Sequence, residues 1–204
     1  MLTQTAQLIP LKGALIRGRD VAFGSMDFEA LAQAKELSGK SLRIHSGTAE
    51  VIPREDPVLD AFRIPVDYEL SLAALIKRGR YDWSDSGITE EAFPRTRETA
   101  KLTEVRLVPA QLKPGHATAG SEESIDRLSS LSMRPAEARE LLALGSLLPM
   151  LQTLHPIVAL GSVVGEGGNR RIPALTSVGL ERGLDLLWFS GALGARHRLL
   201  AVPL

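Results

Sequence analysis

From Pro156 to Val202 the apolar residues arrive in short runs fenced by glycine, proline and polar residues. The runs are Pro156-Ile157-Val158-Ala159-Leu160-Gly161-Ser162, then Ile172-Pro173-Ala174-Leu175, then Leu184 to Phe189, then Arg198-Leu199-Leu200-Ala201-Val202. Segments this short, rich in aliphatics and bounded by turn residues, are strands. Ahead of them, Ala138, Leu141, Leu142, Gly145 and Leu148 recur at helical spacing and predict a helix over 135–148 with Arg139 and Glu140 turned away from its stripe. Pro135 suits the first helical position, where the missing N–H has no intrahelical partner. Gly145 costs ~1 kcal/mol against alanine in a helix. It is expected to mark the helix end or a close approach to the 157–160 strand. Gly165-Glu166-Gly167-Gly168-Asn169 predicts a hairpin turn. The last third of the chain thus demands a sheet with a helix laid against it.

Upstream, glycines divide residues 1–24 into strand-like bursts, and Phe28, Leu31, Ala34 and Leu37 fall on one face of an expected helix. Ser41 to His45 reads as a strand, and Glu50 to Asp60, with Pro53 and Pro57, as an exposed connection. Division into an N-terminal segment, 1–55, and a main domain, 56–204, follows. Ala61 to Val66 is expected at a sheet edge because Pro65 lacks a ladder donor. Asp67 is expected to cap a helix carrying Tyr68, Leu72, Leu75 and Ile76 and ending at Lys77-Arg78-Gly79. Glu104 to Val108 alternates as a half-exposed strand. After a loop over 113–120, Ser121-Glu122-Glu123 opens a helix with Ile125, Leu128 and Leu131 as its stripe. Short helices packed on antiparallel strands make an α+β fold.

Lys+Arg and Asp+Glu are equal at 24 each, so no net field draws the chain to nucleic acid, membranes or acidic partners. No cysteine is present, which removes disulfides, thiolate chemistry and Cys-based zinc sites. Met1 to Gln7 lacks the basic start and apolar run of a signal peptide, and no stretch approaches the ~18 apolar residues of a membrane span. A soluble cytoplasmic protein is expected, with no cofactor or metal.

His45, His116, His155 and His197 are scattered, without metal-ligand spacing. No Gly-x-Ser-x-Gly elbow exists, and Gly161-Ser162 leads into Val163-Val164 rather than a helix. Gly165 to Gly168 lacks the Gly-Lys-Ser/Thr ending of a phosphate loop, although Arg170 and Arg171 follow it. Asp82, Asp85, Glu90 and Glu91 stand beside Tyr81 and Trp83. A hydrolase or sugar-modifying enzyme would need two of these carboxylates opposed, one with a raised pKa. The plainer reading is an Asp85-Ser86-Gly87 turn, with Thr89 capping a short helix. On the last long strand Trp188 shares a face with Leu184 and Leu186, and Phe189 with Asp185 and Leu187. One aromatic is expected in the core, the other as a binding anchor.

The motif order Arg134-Pro135 with Glu140-Leu141-Leu142-Ala143, Pro156 to Ser162, Trp188-Phe189 and Arg198 to Val202 resembles a family of uncharacterised bacterial proteins, which implies no activity. The same order is more distantly similar to C-type-lectin-like domains, including the formylglycine-generating-enzyme-like branch and the variable proteins of diversity-generating retroelements. That resemblance implies a C-terminal half in which the segment before the last strand meets the ligand: Trp188, Phe189, Ser190, Leu193, Arg196 and His197. The chain departs from it in having Leu199-Leu200 in its tail and no cysteines or calcium-ligand cluster. The expectation is a non-catalytic binding protein, meeting a protein or small ligand near its C-terminal strands. The alternatives are the hydrolase above and a small structural subunit of a larger assembly.

Overall fold

The computed structural model describes residues 9–11, 14–17, 20–21, 50–51, 60–96, 101–110 and 118–204. The helix expected around Phe28 to Leu37, the strand at 41–45 and most of the connection at 50–60 lie outside these residues. Strands β1 (Ile9–Leu11), β2 (Ala14–Arg17) and β3 (Asp20–Val21) pair in an antiparallel meander.

The rest is organised by a nine-stranded sheet. Its strands are β4 (Glu50–Val51), β5 (Asp60–Val66), β6 (Trp83–Ser84), β7 (Lys101–Pro109), β9 (Met133–Pro135), β10 (Ile157–Val158), β11 (Arg171–Val178), β12 (Glu181–Trp188) and β14 (Arg198–Pro203). They run in the order β4-β5-β7-β14-β10-β11-β12-β6, with β9 taking up the end of β14. Two pairings, β10 with β14 and β12 with β6, are parallel and the others antiparallel. A small pair, β8 (Thr118–Ala119) with β13 (Leu193–Gly194), lies apart.

The α+β expectation holds, and the uninterrupted apolar runs have a physical reason. The sheet is buried on both faces, so alternate residues serve two cores. On β14, Leu200 and Val202 join one core, Leu199 and Ala201 the other. On β12, Leu184 and Leu186 face the first and Leu187 the second, which Phe189, just past the strand end, also joins. Helices α1 (Leu72–Gly79), α3 (Ala138–Leu147) and α4 (Leu151–Leu154) supply the first core, and α2 (Ser121–Ser130) with Met133 supplies the second.

Several local expectations need correction. Pro135 does not start α3: it ends β9, opposite Ala201, and the helix begins at Ala138 with Glu137 as N-cap in a capping box with Glu140. Arg139 and Glu140 are not turned outward; they are 3% and 0% exposed. Asp67 does not cap α1, because its Oδ1 accepts the N–H groups of Glu69 and Leu70 in a local turn. Ser71 takes the cap, its Oγ accepting from the Ala74 N–H at 3.2 Å. Leu131 falls outside the α2 stripe, since the helix ends at Ser130. Gly165 (φ 87) and Gly167 (φ 55) do bend the chain between Val164 and Arg171, which form an antiparallel bridge.

Gly145 lies inside α3 and approaches Tyr81 and Leu175, not the 157–160 strand. A Cβ there would collide with the Tyr81 hydroxyl and stand 3.0 Å from a Leu175 methyl. That hydroxyl is buried without a hydrogen-bond partner among the described residues, and burial raises its pKa despite the nearby Arg182 guanidinium. Gly145→Ala is therefore expected to destabilise by ~1–3 kcal/mol through overpacking, although alanine is the better helix former. Tyr81→Phe removes the closest obstruction and an unsatisfied polar atom, so it should be neutral or stabilising and should partly rescue Gly145→Ala. Urea denaturation of the two single variants and the double variant checks this; a fully additive cycle would contradict it.

Candidate functional site

Strands β11 and β12 form the long hairpin that carries Trp188 at one end. Trp188 is opposite Arg171 in register and 53% exposed. The Arg171 guanidinium lies 5.4 Å from the centre of its ring and 3.6 Å from the Asp85 carboxylate. Cation and ring are thus held together at the surface by an acid on the turn after β6. The partner β6 covers β12 only at Gly183 and Leu184, so Trp188 stands beyond that covering strand. Gly191 N–H donates to the Trp188 carbonyl at 2.9 Å and turns the chain away, leaving Ser190 exposed beside it.

The other residues singled out by the lectin-like resemblance are placed differently. Phe189 is 4% exposed, with the Arg170 guanidinium 4.0 Å from its ring centre and Ser121 Oγ donating to its carbonyl at 2.6 Å. Leu193 is buried in β13, opposite Ala119. Both are core residues, so of the two aromatics Phe189 is the buried one and Trp188 the exposed one. Arg196 is exposed, its guanidinium 3.5 Å from the Leu154 carbonyl. His197 is half-buried; its Nδ1 accepts from the Gly194 N–H at 3.0 Å and its carbonyl from the Ala110 N–H.

These residues do not make one patch. Trp188 is level with Arg171, whereas Arg198 is level with Ile157 and hence with Leu175. Four residues along a strand and three strands across separate them, on the order of 20 Å. The segment 189–197 carries the chain from one end of the sheet to the other, so Trp188 with Ser190 and Arg196 with His197 belong to opposite ends.

Three of the four carboxylates of the 82–91 stretch are committed to structural partners, and Glu91 is exposed. Asp82 Oδ2 accepts from the Arg182 N–H at 2.6 Å, and Asp85 Oδ1 from the Gly87 N–H at 2.8 Å. Glu90 accepts from the Leu72 N–H at the start of α1 and from the Arg139 guanidinium. The Leu72 N–H above all, with Arg139 assisting, holds the Glu90 carboxyl below its usual range. A general acid would need the opposite shift. Thr89 caps a single turn through Ala92 rather than a helix. Among the described residues no three His, Asp or Glu side chains converge on a possible metal position. In the glycine loop region Arg170 pairs with Glu122.

The most concentrated polar chemistry was missed in the sequence and is buried. Glu140 accepts from the Tyr68 hydroxyl at 2.6 Å, from Arg134 at 2.5 and 3.0 Å, and from the Glu137 N–H at 2.8 Å. Burial alone would push this carboxyl up, but the Arg134 and Tyr68 bonds with the Glu137 N–H outweigh it and hold it below the ordinary carboxylate range. Arg139 donates to the Phe93 carbonyl as well as to Glu90. Arg182 gathers the ends of two helices, donating to the Gly79 and Gly145 carbonyls, each at 2.8 Å, and to Gln152. The readable signal was Glu137-x-x-Glu140, a capping-box spacing directly ahead of an apolar run. These networks fasten elements together. Comparison with known proteins finds no matching family model, no matching curated protein and no matching solved structure.

Proposed function

We propose that this is a non-catalytic, cytoplasmic binding protein whose partner meets the end of the sheet marked by Trp188. The observation that carries the reading is the exposed Trp188 ring, with the Arg171 cation held against it by Asp85. Exposed Trp and Arg are the residues that dominate binding energy at interfaces, and here both are positioned by a long hairpin before any partner arrives. Ser190 extends the surface, so the part of the lectin-like expectation retained is display from the chain around the end of β12. Commitment of Asp82, Asp85 and Glu90 to structural bonds favours binding over hydrolysis.

Affinity capture with the whole chain provides the test. Trp188→Ala should lower partner recovery roughly thirtyfold, the scale of a lost hot spot. Leu102→Ala, a similarly exposed control on β7, should change nothing. Both variants should melt within a few degrees of the wild type. Equal recovery with Trp188→Ala and Leu102→Ala would overturn the proposal.

A further inference from the structure

We infer that the opposite end of the sheet docks on an anionic lipid surface. The β11–β12 hairpin closes there through a two-residue turn, Val178 pairing with Glu181 and Gly179 standing at φ 62, where the glycine-first hairpin turn requires it. Turn tips are ordinarily polar. This one presents Val178 and Leu180, 70% and 78% exposed.

Cations surround the tip. Arg182, one pairing step from the turn, donates to the carbonyls of Gly79 and Arg80, which brings the end of α1 alongside. Lys77, Arg78 and Arg80 are exposed there, Arg80 in the left-handed C-cap conformation usually left to glycine. Ser177 Oγ donates to the Gln152 carbonyl, drawing in α4, whose Leu154 carbonyl receives the Arg196 guanidinium. None of Lys77, Arg78, Arg80 or Arg196 forms an ion pair among the described residues. Asp82 and Glu181 are the acids nearby, and Asp82 is already bonded to Arg182. At the Trp188 end, in contrast, Arg134, Arg170 and Arg171 are each paired with an acid. The chain's zero net charge therefore conceals an uneven distribution.

Aliphatic side chains on a rigid tip, ringed by unpaired cations, match a surface with acyl chains beneath phosphate headgroups. No helix of the described residues is long and apolar enough to cross a membrane, and the contact inferred here is a peripheral one. The cytoplasmic leaflet carries the required negative charge.

Vesicle flotation with the full chain tests this, using phosphatidylcholine with and without phosphatidylserine. The wild type should float only with the anionic vesicles, less as salt rises. The double variant Val178→Ser/Leu180→Ser should bind roughly tenfold more weakly or worse. Lys77→Glu/Arg78→Glu should lose roughly fivefold for each cation removed. Trp188→Ala should float like the wild type, which keeps this result separate from the partner-binding one. Absence of flotation at low salt, or unchanged binding in both double variants, would overturn the inference. So would light scattering in which the wild type dimerises without lipid and Val178→Ser/Leu180→Ser does not, because the tip would then be a contact between copies.

Discussion

Glu140→Ala should lower folding stability by roughly 3–5 kcal/mol, the usual cost of leaving a buried ion pair half-broken. Glu140 is fully buried and serves Arg134, Tyr68 and the first turn of α3 at once. Its removal takes the ion-pair partner from a partly buried Arg134 and a hydrogen bond from the Tyr68 hydroxyl, and opens the capping box. The pH dependence has a definite sign. The folded pKa of Glu140 is held below its ordinary value of 4.5, so the stabilisation is fully present above about that pH and is lost as the pH falls through the depressed folded value. Arg134 shifts the complementary way: burial opposes its charge, yet the Glu140 bond raises its pKa overall, and it stays charged throughout this range. Urea midpoints measured for wild type and Glu140→Gln should converge as the solution is acidified below that range. A constant gap between them would show that the Glu140 charge does not contribute.

Leu141→Ala should cost ~2–5 kcal/mol by a different mechanism, a cavity between α3 and the sheet. Leu141 is wholly buried in the first core, with Ile64, Leu142 and Leu200. The comparison residue is Leu102, whose replacement by alanine should fall within ~0.5 kcal/mol because it is largely exposed. Denaturation curves of both variants decide the matter: equal stabilities would move α3 to the surface. The two losses need not add, since Glu140 and Leu141 are neighbours on one helix.

Why the strands were legible and the polar network was not follows from how each is written in a sequence. Alternation along 184–189 put Trp188 and Phe189 on opposite faces because the sheet pleat imposes a strict period of two, but it left open which of them is buried. Helix termini were less legible. Pro135 is as acceptable at the end of an edge strand as at the first turn of a helix, and only its pairing with Ala201 decides between them. Arg139 and Glu140 misled because charge ordinarily marks a solvated face. Their partners Glu90, Arg134 and Tyr68 come partly from distant segments, Tyr68 lying 72 residues from Glu140. The proposed binding residues proved divided for a related reason: sequence proximity between Trp188 and Arg196 says nothing about a chain that crosses the sheet between them.

A photo-crosslinking residue placed at position 190, exposed beside an intact Trp188, tests the central claim most directly, with position 102 as the exposed control. Binding through the Trp188 end predicts a discrete protein adduct from 190 that is absent from 102. The same adducts from both positions, or none from 190 while the partner is still captured, would contradict it.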